Sequence, residues 1–337
     1  MLDELKNICL CNGPQELHEI SIREKITPSN AIKKIIKTFI GATQFKDNSI
    51  SWLEAITLSA CNQKGIFDTK KLSQVIRGET KYPILTFCDA IGVENLVAQI
   101  AKAHGIKTIT LQHGQYRVLN DKSYSADAEA YLNFVSDKML CWGQATITEL
   151  SKAGITRDRL ISCGRLTPTT KYKNFHTAPH NIFGVILCGE NQIQSNITLL
   201  QFAEKLSKET GMRYIVKLHP ANPITRYEKL KGKSCVKISK IHNSEYFASC
   251  SFSIMAMSGF FIDCIEAKHR FIFFDDGGLS DVFKASGLSA TRTNEIPSLL
   301  ESISNSSFDF LTEKYNDKNL QSERVIEAIY GSLGNQI

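Results

Sequence analysis

The chain of 337 residues is 42% hydrophobic and 22% charged, a balance that excludes disordered, collagen-like and low-complexity proteins and leaves room for about two domains. Lys and Arg number 40 against 34 Asp and Glu, for a net charge of +6. That excess mildly favours anionic ligands or an acidic membrane surface, and with no RNP, zinc-finger or arginine-rich pattern beside it, nucleic acid is not an expected partner.

The opening MLDELKNICLCNG places acidic residues where a signal peptide needs positive charge and has no long apolar region, so a cytoplasmic protein is expected. The alternation in ICLC reads as a strand. Cys9 and Cys11 have no CxxC partner or nearby histidine to complete a zinc set. The ten cysteines, scattered without regular spacing, suit a reduced protein better than a disulfide framework. AIKKIIKTFIGATQF carries Ile32, Ile35, Ile36, Phe39 and Ile40 on one helical stripe, with Lys33, Lys34 and Lys37 elsewhere on the surface. Such a basic amphipathic helix can lie on an anionic membrane; the expectation here is the commoner arrangement, a stripe packed on a sheet with solvated lysines.

From Pro83, PILTFCDAIGVENLVAQIAKAHGIKTITLQHG runs from an apolar strand through a helix marked by Leu96, Ile100 and Ala103 to a second strand, one βαβ unit. DKMLCWG, ATITELSKAG and DRLISCG repeat the plan, which predicts a parallel sheet. RLTPTTKYKNFHTAPHN, after Gly164, has two prolines and no apolar period and reads as the linker. A second series follows: NIFGVILCG, a helix from about Ile197 to Glu209, RYIVKLHP, SCVKIS, helical IHNSEYFASC, FSIMAMS, the helix GFFIDCIEAK, and RFIFFDD. The fold class predicted is α/β, two Rossmann-like domains with parallel sheets facing a cleft, over residues 1–166 and 167–337. The longest uncharged stretch, Tyr246 to Ile262, is 17 residues with four serines and a glycine, too short and too polar to span a bilayer.

No GxGxxG follows any of these strands and no P-loop is present, which removes the main support for NAD-dependent or ATP-dependent chemistry. The strand ends, where open α/β sheets bind ligands, instead offer Asp89, His113 with Gly114, Gly143, Gly189 with Glu190, His219 with Pro220, and Ser258 with Gly259. Ser258 and Gly259 precede FFIDCIEAK and are expected to open a helix whose amides and dipole suit a phosphate; alone, that is also what a plain helix cap looks like. Glu266, two turns on, is placed to meet ribose hydroxyls, or else is a solvated helix residue. A single strand-end histidine is commonly structural. Two, one in each half, both directed at one cleft, favour function, since a neutral histidine can donate to phosphate or move a proton near pH 7.

TLQHG, CWG, LSKAGITRDRLISCGRL, VKLHP and MSGFFIDCIEA, in that order between about Pro83 and Phe274, resemble glycosyltransferases of the GT-B fold that build bacterial surface polysaccharides. Nearest in pattern are polysialyltransferase-like and Kdo-transferase-like capsule enzymes and the CDP-glycerol glycerophosphotransferases of teichoic acid synthesis. The resemblance implies a nucleotide-activated donor in the C-terminal domain, with His219 and Pro220 near its phosphate or nucleotide and Ser258 near the phosphate. Gly189 and Gly259 join that donor set. His113, matching the HG motif of the glycerophosphotransferases, is implied as the acceptor-side base, with Asp89 and Glu190 as substitutes. Sialyltransferases of this fold carry an acidic motif upstream of HP and paired serines downstream, whereas here Asp275, Asp276 and Gly277 lie downstream and Ser258 is followed by glycine, so a sialic acid donor is not implied. No DxD triplet marks a metal site, and no essential metal is expected.

The sequence therefore predicts a metal-independent glycosyltransferase, with inversion favoured. It would move a sugar from a nucleotide-sugar donor to a glycan or lipid-linked glycan of capsule or lipopolysaccharide, with peripheral contact to the inner membrane through its basic surface. The alternatives are a CDP-polyol phosphotransferase, a nucleotide-sugar 2-epimerase, and a non-catalytic nucleotide-binding subunit of a polysaccharide synthesis complex.

Overall fold

The computed structural model describes residues 28–46, 51–78, 83–114, 131–166, 181–256, 258–277, 279, 281–284, 289–290, 298, 300–301, 305, 307–319 and 321–330. The strand expected at ICLC and most of the linker after Leu166 lie outside the described residues.

Two helices come first, α1 (Pro28–Phe45) and α2 (Trp52–Gly78). They pack on each other, and α2 packs on α3 (Gly92–Ala103). Leu72 and Ile76 of α2 are buried with Ile100, Ala101 and Ile106. This corrects the expectation for α1, which does not lay its stripe on the sheet: Ile35, Ile36, Phe39 and Ile40 are all exposed. Among the described residues α1 packs against α2, and that contact covers the side that holds Ala42.

The first sheet contains β1 (Ile84–Thr86), β2 (Thr108–Leu111), β3 (Lys138–Cys141) and β4 (Leu160–Ser162), in that order and all parallel. Helix α3 follows β1, and α4 (Gln144–Lys152) follows β3. The second sheet is also parallel. Its strands are β5 (Ile182–Ile186), β6 (Arg213–Lys217), β7 (Cys235–Ser239), β8 (Ser253–Met255), β9 (Phe271–Phe274) and β10 (Ser289–Ala290), in the order β10-β9-β8-β5-β6-β7. Helices α5 (Ile193–Thr210), α6 (Ile224–Glu228), α7 (Asn243–Ser249), α8 (Phe261–Glu266) and α9 (Asp281–Lys284) make its crossovers and edges. Strands covered on both faces become continuous apolar runs, and β9, FIFF, is buried at every position. Strand order reverses between β5 and β8, the topological switch point where such sheets open a crevice at their C-terminal edge. The predicted α/β architecture of two parallel-sheet units is observed.

The chain does not end on the second sheet. Helix α10 (Phe308–Tyr315) packs against α4 and α8, and α11 (Gln321–Tyr330) against β4. Val325 and Ala328 of α11 are buried with Ile109, Leu111, Leu140 and Cys163 of the first sheet. Trp142 and Ala145, after β3, belong to the large core of the second sheet together with Tyr315, Phe261 and Phe283. The two units thus share apolar core across their junction. Cys88, Cys141, Cys163, Cys188, Cys235, Cys250 and Cys264 are free, and all but half-buried Cys88 are buried. No helix among the described residues is long and apolar enough to cross a membrane.

Candidate functional site

A cavity of about 760 Å³ lies between the C-terminal strand edges of the two sheets, within the size range of small-ligand sites. The first sheet supplies Phe87, Gln112 and His113, and the second supplies Gly189, His219 and Ser258.

His113 sits directly after β2. Its imidazole stacks on Tyr131 with ring centroids 5.0 Å apart and packs against Phe87 at 5.1 Å. The preceding Gln112 fixes the turn: its Oε1 accepts from the Trp142 amide at 2.8 Å, its backbone oxygen accepts from Trp142 Nε1 at 2.9 Å, and its Nε2 donates to the Gly114 carbonyl at 3.0 Å. The histidine is therefore held by aromatic walls on a hydrogen-bonded loop.

Across the cavity, His219 follows β6, with Leu218 buried behind it. Its Nδ1 accepts from the Ala221 amide at 3.2 Å, which assigns the remaining hydrogen of the neutral ring to Nε2. Partial burial, with Lys240 second, lowers its pKa from the ordinary histidine value, so the ring is neutral at pH 7 and able to donate one hydrogen bond. The loop beside it is set by Asn196 of α5, whose Oδ1 accepts from Cys188 N at 2.8 Å and whose Nδ2 donates to Cys188 O at 3.0 Å. Asn222 donates to the same carbonyl at 2.9 Å. These two buried amides place Gly189, where an added Cβ would already lie 3.1 Å from Asn191 Oδ1.

Ser258 and Gly259 line the cavity after β8, but the expectation that Ser258 caps α8 is corrected. The cap is Phe260, because Ser258 to Phe260 form a tight turn ahead of the helix. In that turn the Ser258 hydroxyl accepts from Phe260 N at 3.4 Å, and the Ser258 and Gly259 carbonyls accept from Phe261 N and Ile262 N at 3.2 Å each. Amides expected to face a phosphate are thereby occupied.

Other expected site residues are not on the cavity wall. Asp89 is buried, and its Oδ2 accepts from the amides of Val135 and Ser136 at 3.2 and 2.6 Å, tying the end of β1 to the segment before β3. Glu190 pairs with Arg226. Pro220 is exposed, and its carbonyl accepts from Lys240 Nζ. Glu266 takes Arg165 Nη2 at 2.8 Å, Lys318 Nζ at 3.0 Å and Asn316 Nδ2 at 3.1 Å, a set of contacts that joins α8 to β4 and the α10–α11 connection. Asp275 accepts from the amides of Gly277 and Leu279 and pairs with Lys284. No three His, Cys, Asp or Glu side chains come together as a metal site among the described residues.

Two charged lining residues went unread in the sequence. Arg165, two residues beyond Cys163, and Asp263 of α8 face the cavity and pair with each other, Nη1 to Oδ2 at 2.9 Å and Nη2 to Oδ1 at 3.1 Å. This two-pronged bond crosses the cleft floor from one unit to the other. An arginine following a strand-end glycine was the available signal.

Two parallel sheets facing a cleft, with the ligand edge of each turned inward, define a GT-B-like fold. Solved structures carry the same plan. They include UDP-GlcNAc 2-epimerase from Neisseria meningitidis bound to UDP-GlcNAc, 14% identical over 84% of this chain and 82% of that one with a TM-score of 0.53. The Methanocaldococcus jannaschii UDP-GlcNAc 2-epimerase in complex with UDP-GlcNAc and UDP is 13% identical over 78% and 79%, with a TM-score of 0.51. The S. aureus MnaA–UDP co-structure is 14% identical over 78% and 77%, also with a TM-score of 0.51. No protein-family model matches the chain, and no curated protein matches it in sequence. The likeness bears out the GT-B part of the sequence resemblance and does not support the particular surface-polysaccharide families that the motifs resemble. It also overturns the expected activity: the two neighbours from Neisseria and Methanocaldococcus are 2-epimerases, so the glycosyltransferase reading and the transferase class are withdrawn. At these identities the likeness establishes the fold alone.

Proposed function

We propose that the protein is a nucleotide-sugar 2-epimerase, an isomerase that binds a UDP-sugar in the cleft and inverts its C2 centre. The observation that carries the reading is the pairing of His113 and His219, one from each sheet, on opposite walls of one cavity at the switch point. Solved structures of this fold that hold UDP or UDP-GlcNAc support the choice of ligand.

Inversion at C2 removes a hydrogen from one face and returns one to the other. No carbonyl adjoins C2 in a glycosyl nucleotide, so as C2 loses its proton the C–H electron pair forms a C1=C2 bond while the C1–O bond breaks and its pair leaves on the diphosphate. A proton returned to the other face of C2 lets the diphosphate oxygen re-form the bond to C1. His219, neutral with its hydrogen at Nε2, is the donor to that diphosphate, and Ser258 lies beside it. His113 is the group that takes or returns the proton. Gly189 gives the diphosphate room to approach. Asp89 and Glu190, tied to amides and to Arg226, are left out of the chemistry. No acceptor glycan takes part, and no metal is required.

The test is incubation with UDP-GlcNAc or UDP-ManNAc in D2O, followed by NMR. Deuterium at C2 and conversion to the other epimer are expected. His113→Ala should lower kcat roughly 100-fold or more with UDP affinity kept, and His219→Ala should weaken UDP binding. UDP bound with no C2 exchange in either sugar overturns the epimerase; no UDP binding overturns the ligand as well.

A further inference from the structure

The exposed face of α1 is built like a membrane-surface helix. Ile35, Ile36, Phe39 and Ile40 are each more than half exposed, and at 100° per residue they span an arc of about 140°. Ala42, at the adjoining edge, is fully buried, as is Ala55 of the neighbouring α2, so the packed and open sides of the helix are distinct. Lys33 and Lys37, both exposed, border the open arc on its other edge. Helix α1 contains no Asp or Glu. After the connection 46–51, α2 begins with Trp52 and Leu53, which are also more than half exposed. The acidic residue of its first turn, Glu54, is engaged by Ser51, accepting from its amide and hydroxyl at 2.7 Å each.

Single exposed apolar side chains are ordinary, but four on one arc are not. We infer that this face seats the protein on an anionic lipid surface. Helix α1 lies in the interface plane with its isoleucines and phenylalanine at the acyl boundary and its lysines among the headgroups. Charge selects this occupant over a second copy of the chain, because face-to-face pairing would set Lys33 and Lys37 of two copies together with no acidic residue on α1 to offset them. The placement is independent of the chemistry in the cleft.

The full-length chain is floated with vesicles of phosphatidylcholine, alone or with added phosphatidylglycerol. Binding to the anionic vesicles only is expected, weakening with salt as surface charges are screened. Lys33→Gln/Lys37→Gln should weaken it roughly 25-fold, about fivefold per lysine. Ile36→Ser/Phe39→Ser should abolish it while the melting temperature of the protein is unchanged. Equal binding to neutral vesicles, or no binding to either, overturns the proposal. So does a dimer by light scattering that Ile36→Ser/Phe39→Ser converts to monomer, since a second copy is then the occupant.

Discussion

His269 is a buried titratable ring. Its Nε2 lies 2.8 Å from Ser253 Oγ, which lies 2.8 Å from the Tyr246 hydroxyl, with Cys250 Sγ at 4.0 Å and the Phe247 ring at 4.9 Å. Burial pushes its pKa down to about 3, against about 6.5 in an unfolded chain. Below pH 6.5 the unfolded state therefore binds a proton that the folded state does not, and stability falls as pH falls from about 6.5 towards 3, by up to ~1.4 kcal/mol per pH unit. Urea unfolding across that range should show a steeper loss for the native protein than for His269→Gln; equal slopes would mean the ring is not held neutral. Gly184 in β5 faces the same network, and a Cβ there would lie 1.9 Å from the Tyr246 hydroxyl. Gly184→Ala should cost about 1–3 kcal/mol or more in thermal or chemical unfolding, because a fully buried tyrosine has nowhere to retreat. At this scale the sequence was legible where a residue's backbone context was visible. HG and HP put His113 and His219 at strand ends, and both line the cavity. Asp89, equally at a strand end, turned inward to backbone amides, and nothing in one sequence distinguishes a carboxylate facing a cleft from one that caps a loop.

Arg165 connects elements that lie far apart in the chain. Its guanidinium holds Asp263 and Glu266 of α8, and Glu266 also takes Lys318 and Asn316 from the connection between α10 and α11. The arginine side chain is 15% exposed and Glu266 7%, so water repays little when the set is broken. Arg165→Gln leaves two carboxylates with one fewer cation and should lower stability by about 3–5 kcal/mol, whereas Glu266→Gln, which leaves the Arg165–Asp263 pair intact, should cost less. Denaturant unfolding of both variants orders them, and a larger loss for Glu266→Gln would show that Lys318 rather than Arg165 anchors the set. The strands and helices between Pro83 and Phe274 were readable because each is a short apolar run or a 3.6-residue stripe ended by glycine or proline. The long-range contacts were not. Arg165 and Asp263 are 98 positions apart, and the amphipathic pattern of α11 shows an apolar side without showing which sheet receives it.

The two sheets behave as one body only if the surfaces between them stay closed, and Gly143 sits at that junction. It follows Trp142, whose ring is part of the core shared with the second sheet, and it opens α4 against α10. A Cβ on Gly143 would lie 2.6 Å from the Lys314 carbonyl oxygen and 2.6 Å from the Tyr315 carbonyl carbon. These are backbone atoms of a helix whose Tyr315 is itself buried, with its hydroxyl donating to Val282 O at 2.9 Å. Neither side can give way locally, so the extra methyl in Gly143→Ala must separate α4 from α10. Each sheet keeps its strands and its own covering helices, while Trp142 and Ala145 lose their place in the common core. The native protein should then unfold in one calorimetric transition, and Gly143→Ala in two, with UDP raising the transition of the second sheet alone. A ligand at 100 times its dissociation constant contributes about 2.7 kcal/mol, enough to identify which transition it moves. One transition in Gly143→Ala, shifted by UDP as in the native protein, would show that the junction tolerates the methyl and that Arg165 with its two carboxylates suffices to couple the halves.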